Sequence, residues 1–75
     1  MKYKFKNNFK ELIDKIEESD YMQTELAVKL GITSATFNHK LKGRRNFSIP
    51  EIVHLFEILE LDLNEITNYI LEENQ

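Results

Sequence analysis

Seventy-five residues, 41% of them hydrophobic, fit one domain of modest stability around one core. The absence of cysteine excludes disulfides and thiolate metal sites. The net charge of −3 argues against a polyanion ligand until its distribution is read. Residues 1–10 carry four lysines and no acid; residues 23–46 carry Lys29, Lys40, Lys42, Arg44 and Arg45 against Glu25; residues 51–75 carry seven acids and no lysine or arginine. Screening makes the local field the one that matters to a polyanion, so a basic patch beside an acidic C-terminal third can still bind nucleic acid. The same charges can equally serve only to solvate the surface.

No stretch approaches the ~20 apolar residues of a membrane span, and no apolar signal-peptide core follows the basic start "MKYKFKNNFK". The chain is therefore expected in the cytoplasm, without a membrane partner. It has no internal repeat, low-complexity tract or linker, and its punctuation is limited to Gly31, Gly43 and Pro50.

In chain order, a first helix is predicted from about Asn8 to Glu18, with Phe9, Leu12, Ile13 and Ile16 at helical spacing. Asn7 or Asn8 caps it in this reading, and Glu11 complements its first turn. A second helix runs from about Gln23 to Leu30 and buries Leu26, Ala27 and Leu30. Gly31 follows as the left-handed residue just past a helix end. A third helix opens after Thr33, whose hydroxyl can cap the amide of Ala35 or Thr36, and continues to about Lys42 with Phe37 and Leu41 facing inward. Gly43 stops it, and "GRRNFS" reads as a basic loop. Ser48, Pro50 and Glu51 give a capping box and a first-turn proline for a fourth helix over about Ile49–Leu59, with Ile52, Leu55, Phe56 and Leu59 as its buried stripe. "ELDL" is a connector, and a fifth helix is predicted over about Leu63–Glu73. With β-branched runs of period two missing, the expected fold is all-α: one five-helix bundle over residues 1–75.

The stretch "LAVKLGITSATF" carries the functional argument. Two short helices joined by a glycine turn can pack at a steep angle if the first is small at the crossing, as at Ala27. Ile32 plugs the corner and Phe37 anchors the second helix. The small polar residues that start the second helix are then free to approach base edges in a groove.

These residues resemble the helix-turn-helix of the Cro/phage-repressor (XRE-type) family. The matching positions are Gln23, Glu25–Ala27, Lys29, Gly31, Ile32 and Phe37. The likeness extends more loosely over residues 7–70, and the short chain and the "KLKG" ending of the third helix look like small phage-encoded members. One departure stands out: the family usually has an apolar residue at position 40, often followed by Glu, where this chain has Lys40 and Leu41. The resemblance implies a λ-repressor-like DNA-binding domain, with the helix-turn-helix at about residues 23–42. It implies that Ser34, Ala35, Asn38 and His39 meet base edges, Asn38 being suited to bidentate pairing with adenine. An ordinary solvated helix face is the competing account.

Gln23, with free amides at its helix start, is expected to receive a phosphate. Thr33 and Thr36 are candidate phosphate contacts, though capping alone explains Thr33. Lys42, Arg44, Arg45 and Asn46 are expected to grip the DNA backbone, or else form a solubilising loop. Lys2, Lys4 and Lys6 read equally as an arm on DNA or as a disordered terminus. Ile66, Tyr69, Ile70 and Leu71 either close the core or pair two subunits.

His39 and His54 lack ligand-spaced partners, and no nucleophile–base set or phosphate-cradling glycine loop is present, so no metal, cofactor, small-molecule ligand or catalysis is expected. The expectation is a dimeric DNA-binding regulator of the Cro-repressor kind, with double-stranded DNA and a second copy as partners. An antitoxin-type autorepressor and a helical protein-interaction module are the alternatives.

Overall fold

A computed structural model describes residues 2–6 and 9–74 of the protein. Helix α1 spans Lys10–Glu18, α2 Gln23–Leu30, α3 Ser34–Leu41 and α4 Ile49–Ile58. A 3-10 turn at Leu63–Glu65 leads into the short α5, Ile66–Tyr69. Strands β1, Lys2–Phe5, and β2, Leu71–Asn74, pair antiparallel with Tyr3 opposite Glu73, Lys4 opposite Glu72 and Phe5 opposite Leu71. The molecule is thus mostly helical but not all-α.

The fifth helix is the largest correction. The apolar spacing predicts a helix through residue 73, but α5 ends at Tyr69 and the chain turns extended at Leu71. The 3.6-residue spacing of Ile66, Tyr69 and Ile70 holds for a single turn, and beyond it the β1 edge supplies backbone partners. The Lys6 N–H continues the ladder by donating to Ile70 O at 2.9 Å. "KYKF" alternates lysine with aromatics, which is the strand period, but four residues are too few to register as a pattern.

The start of α1 also differs. Phe9 occupies the N-cap position without a side-chain cap, and the expected caps Asn7 and Asn8 lie outside the described residues. The other helix starts follow local chemistry. Thr33 Oγ1 accepts the Thr36 N–H at 3.1 Å. Ser48 and Glu51 form the reciprocal capping box, with Pro50 in the first turn of α4.

Three helices end on the same device. After α2, the N–H groups of Gly31 and Ile32 donate to Val28 O and Ala27 O, both at 3.0 Å. After α3, Gly43 and Arg44 donate to Lys40 O and His39 O. After α4, Glu60 and Leu61 donate to Glu57 O and Phe56 O. Each is a Schellman closure, which needs one left-handed residue. Gly31 (φ 75°) and Gly43 (φ 77°) meet that need without strain, whereas Glu60 meets it with a side chain attached (φ 57°).

The core gathers the expected faces: Phe9, Leu12 and Ile16 of the first segment, Leu26 and Ala27, Phe37 and Leu41, and Ile52, Leu55 and Phe56 are all buried. Tyr69 and Ile70 are buried with them, while Ile66 and Leu71 pack against the same cluster. Of the two readings of these four residues, closing the core is the one their packing matches. Phe56 meets Tyr69 edge-on at 5.9 Å between centroids.

Phe47 is the core residue that the sequence concealed. It lies in the basic loop, yet it is only 3% exposed and packs against Phe9 and Phe37 at centroid distances of 5.7 and 6.2 Å. Burying such a ring contributes about 1.5–3 kcal/mol, so the loop is nailed to the core at its distal end.

Candidate functional site

Helices α2 and α3 pack against each other across the Gly31 turn, and α2 packs against α4. Gly31 is required for its backbone angle and not for space: a Cβ built there meets nothing within 4 Å. Ile32 is half-buried against the core and Phe37 fully buried. With those two fixed, the opposite face of α3 points to solvent. Ser34, Ala35 and His39 are exposed or half-exposed, as is Asn38.

The residues expected around this face divide by what they already bind. Thr33 Oγ1 accepts the Thr36 amide and donates its own proton to Thr36 Oγ1 at 2.9 Å, so its hydroxyl is occupied in the cap. Gln23 is the first residue of α2. There the Glu25 carboxylate takes the Met22 N–H at 2.9 Å, so the helix entrance already holds an anion. Lys42, Arg44, Arg45 and Asn46 are all exposed and follow directly on α3.

The ion pairs sort the cations. Lys4 pairs with Glu72 at 3.6 Å, Lys6 with Glu11 at 3.7 Å, Lys10 with Asp14 and Lys15 with Glu18. Lys6 Nζ also donates to Asn68 O at 2.6 Å. The N-terminal lysines at positions 4 and 6 are therefore tied to other parts of the fold and are neither a free arm nor a disordered end. Lys29, on α2, holds its ammonium 5.8 Å from the Tyr21 ring centroid. Among the described residues, Lys29, Lys42, Arg44 and Arg45 enter no ion pair, and the last three adjoin one another. Three cations without a nearby counter-ion are thus concentrated in one loop beside the exposed half of α3.

Lys40 leaves that set. Counted as part of the basic patch on sequence, it is 8% exposed, bonded to Glu51 Oε1, with its ammonium 5.9 Å from the Phe47 ring centroid. Its position three residues after Phe37 is on the inward face, a signal that its residue type overrode. Lys40 and Leu41 are both inside, so α3 is held at two successive positions of its last turn. Burial raises the Glu51 carboxyl, but hydrogen bonds from Lys40 and the Ser48 backbone, with the lysine charge, outweigh it and hold the group below its ordinary value.

Chemically, this surface offers three guanidinium or ammonium groups for anionic oxygens, a carboxamide at Asn38 that donates and accepts, and small side chains that permit close approach. Fold and site define a class: a small, mostly helical domain with a glycine-turned helix pair and a cationic loop. The chain belongs to the DUF739 family, described as "Protein of unknown function (DUF739)", which it matches over residues 1–73. No curated protein matches it. Among the described residues, no helix is long and apolar enough to cross a membrane.

Proposed function

We propose that this protein is a sequence-specific regulator that binds double-stranded DNA, acting as a Cro-type repressor on a near-palindromic operator. The α2–turn–α3 unit is a helix-turn-helix and α3 its recognition helix. Ser34, Ala35, Asn38 and His39 face base edges; Lys42, Arg44, Arg45 and Asn46 hold phosphates; Gln23, Thr33 and Thr36 flank them. One observation carries the reading: three cations left without a counter-ion sit together, immediately after a helix whose exposed side is small and polar. Cations clustered without a partner, beside a Lys40 that Glu51 does neutralise, make a local positive field for an anionic ligand.

Read as a two-fold dimer, the protein presents two recognition helices about one DNA turn, ~34 Å, apart. Selection from a random duplex pool, followed by sizing of the complex, tests this. The expected result is an enriched near-palindrome occupied by two chains, with affinity falling roughly a thousandfold between about 50 and 200 mM salt. A pool without enrichment, or binding that ignores salt, overturns the reading in favour of a protein-interaction module.

A further inference from the structure

We infer that Glu51 is the positioning residue of the proposed DNA surface, acting through Lys40 to fix the exit of α3 and the cationic loop behind it; the inference rests on the DNA reading. A single carboxylate oxygen, Glu51 Oε1, accepts both the Ser48 N–H at 2.8 Å and the Lys40 ammonium. Ser48 caps α4, and Lys40 belongs to the last turn of α3. The oxygen therefore joins the end of one helix to the start of the next.

The segment between them carries Lys42, Arg44 and Arg45, and its floor is Phe47, over whose ring the Lys40 ammonium sits. The shielded ion pair and the buried ring hold the two ends of the segment whose backbone carries the three cations. The pair is well shielded, with the side chains of Lys40 and Glu51 10% and 15% exposed. Neither charge is available to a ligand, which makes the pair a support for binding groups and not one of them.

Three variants separate this from a plain stability effect. Lys40→Met keeps an unbranched stem over Phe47 and leaves the capping box intact. Glu51→Gln keeps an acceptor for Ser48 but loses the charge. Lys40→Arg keeps the pair. Gly43 and Arg44, whose amides close the end of α3, are read by hydrogen exchange against Ile13 and Ile16 of α1, whose amides are bonded within the helix. Their exchange is expected to speed about tenfold relative to α1 in Lys40→Met and Glu51→Gln, and to stay near the parent rate in Lys40→Arg. On a selected duplex and on random-sequence DNA alike, the first two variants are expected to lose about tenfold in affinity, because the cations they misplace hold phosphates common to both.

Unchanged exchange at Gly43 and Arg44 overturns the inference, and so does unchanged affinity for the selected duplex. A salt slope shallower by about one in Lys40→Met but unchanged in Glu51→Gln also overturns it, by making Lys40 itself a phosphate contact. If Glu51→Gln fails to fold, Lys40→Met decides. If the parent protein binds no duplex, the DNA reading falls and the exchange measurement alone judges the positioning role.

Discussion

Glu60 and Gly31 hold the same backbone role at different cost. Both follow a helix and both have positive φ, but only Glu60 brings a Cβ into the left-handed region, which disfavours it by roughly 1–2 kcal/mol. Glu60→Gly is therefore expected to raise stability by about 0.5–1 kcal/mol, after the greater freedom of glycine in the unfolded chain is deducted. Gly31→Ala is expected to lower it by about 1–2 kcal/mol with no packing defect, since the space around it is open. Urea titrations of the two variants read opposite signs. Glu51 makes a second residue-scale prediction. Its carboxyl is held below the ordinary value, so its contribution is complete above the unfolded value of about 4.3 and is lost as pH falls through the lower folded one. The stability gap between the parent and Glu51→Gln should accordingly narrow as pH falls below about 4.3, a trend that thermal melts across the acid range would detect. A gap that widens on acidification removes Glu51 as a stabilising carboxylate.

At the scale of elements, the α3–α4 connection is a structured segment and not a passive loop. Gly43 closes α3, Phe47 fills the core between Phe9 and Phe37, and Ser48 opens α4. Phe47→Ala is expected to cost about 3–5 kcal/mol, a core-sized penalty from a residue surrounded by charge in the sequence. A cost below about 1 kcal/mol in denaturant unfolding would show that the ring does not anchor the loop. The terminal strands work in the same way: β1 lacks partners by itself, as does β2, and each supplies the other. Lys4 and Glu72 decorate the outer face of that pair, while Phe5 and Leu71 turn toward the core.

Across the whole molecule, charge is ordered along α4. Its N-terminus adjoins the cationic loop. Its C-terminus adjoins an open cleft lined by Glu18, Asp20, Glu57 and Glu60 with Lys15. Ten helical residues separate the two by about 15 Å, more than a Debye length at physiological salt. A net charge of −3 is thus compatible with a surface that a polyanion approaches from one end. On the DNA reading, Arg44→Ala should weaken every duplex alike and flatten the salt slope by about one. Asn38→Ala should cost about 1–3 kcal/mol on the selected site and relax preference at one base. Competition titrations with selected and scrambled duplexes distinguish the two, and equal losses on both duplexes would remove Asn38 from base reading.

Helices α1 to α4 were legible because their information is local. Capping residues, glycine stops and a 3.6-residue apolar stripe act within one or two turns, so Thr33, Ser48, Gly31 and Gly43 mark boundaries wherever the chain lies. Most apolar members of their inward faces were equally readable, although Leu30 and Leu59 are only half-buried, and so was the outward side of α3 that holds Ser34, Ala35, Asn38 and His39. Tertiary structure alone decided the features whose partners are distant in sequence. The final residues became a strand because β1 offered an edge more than 60 positions away in the chain. Lys40 went inside because Glu51, from the next helix, met its charge there, and Phe47 went with it because two other phenylalanines left room for its ring. Periodicity records which side of an element is apolar; it does not record what stands opposite, and buried charge and short strands depend on what stands opposite.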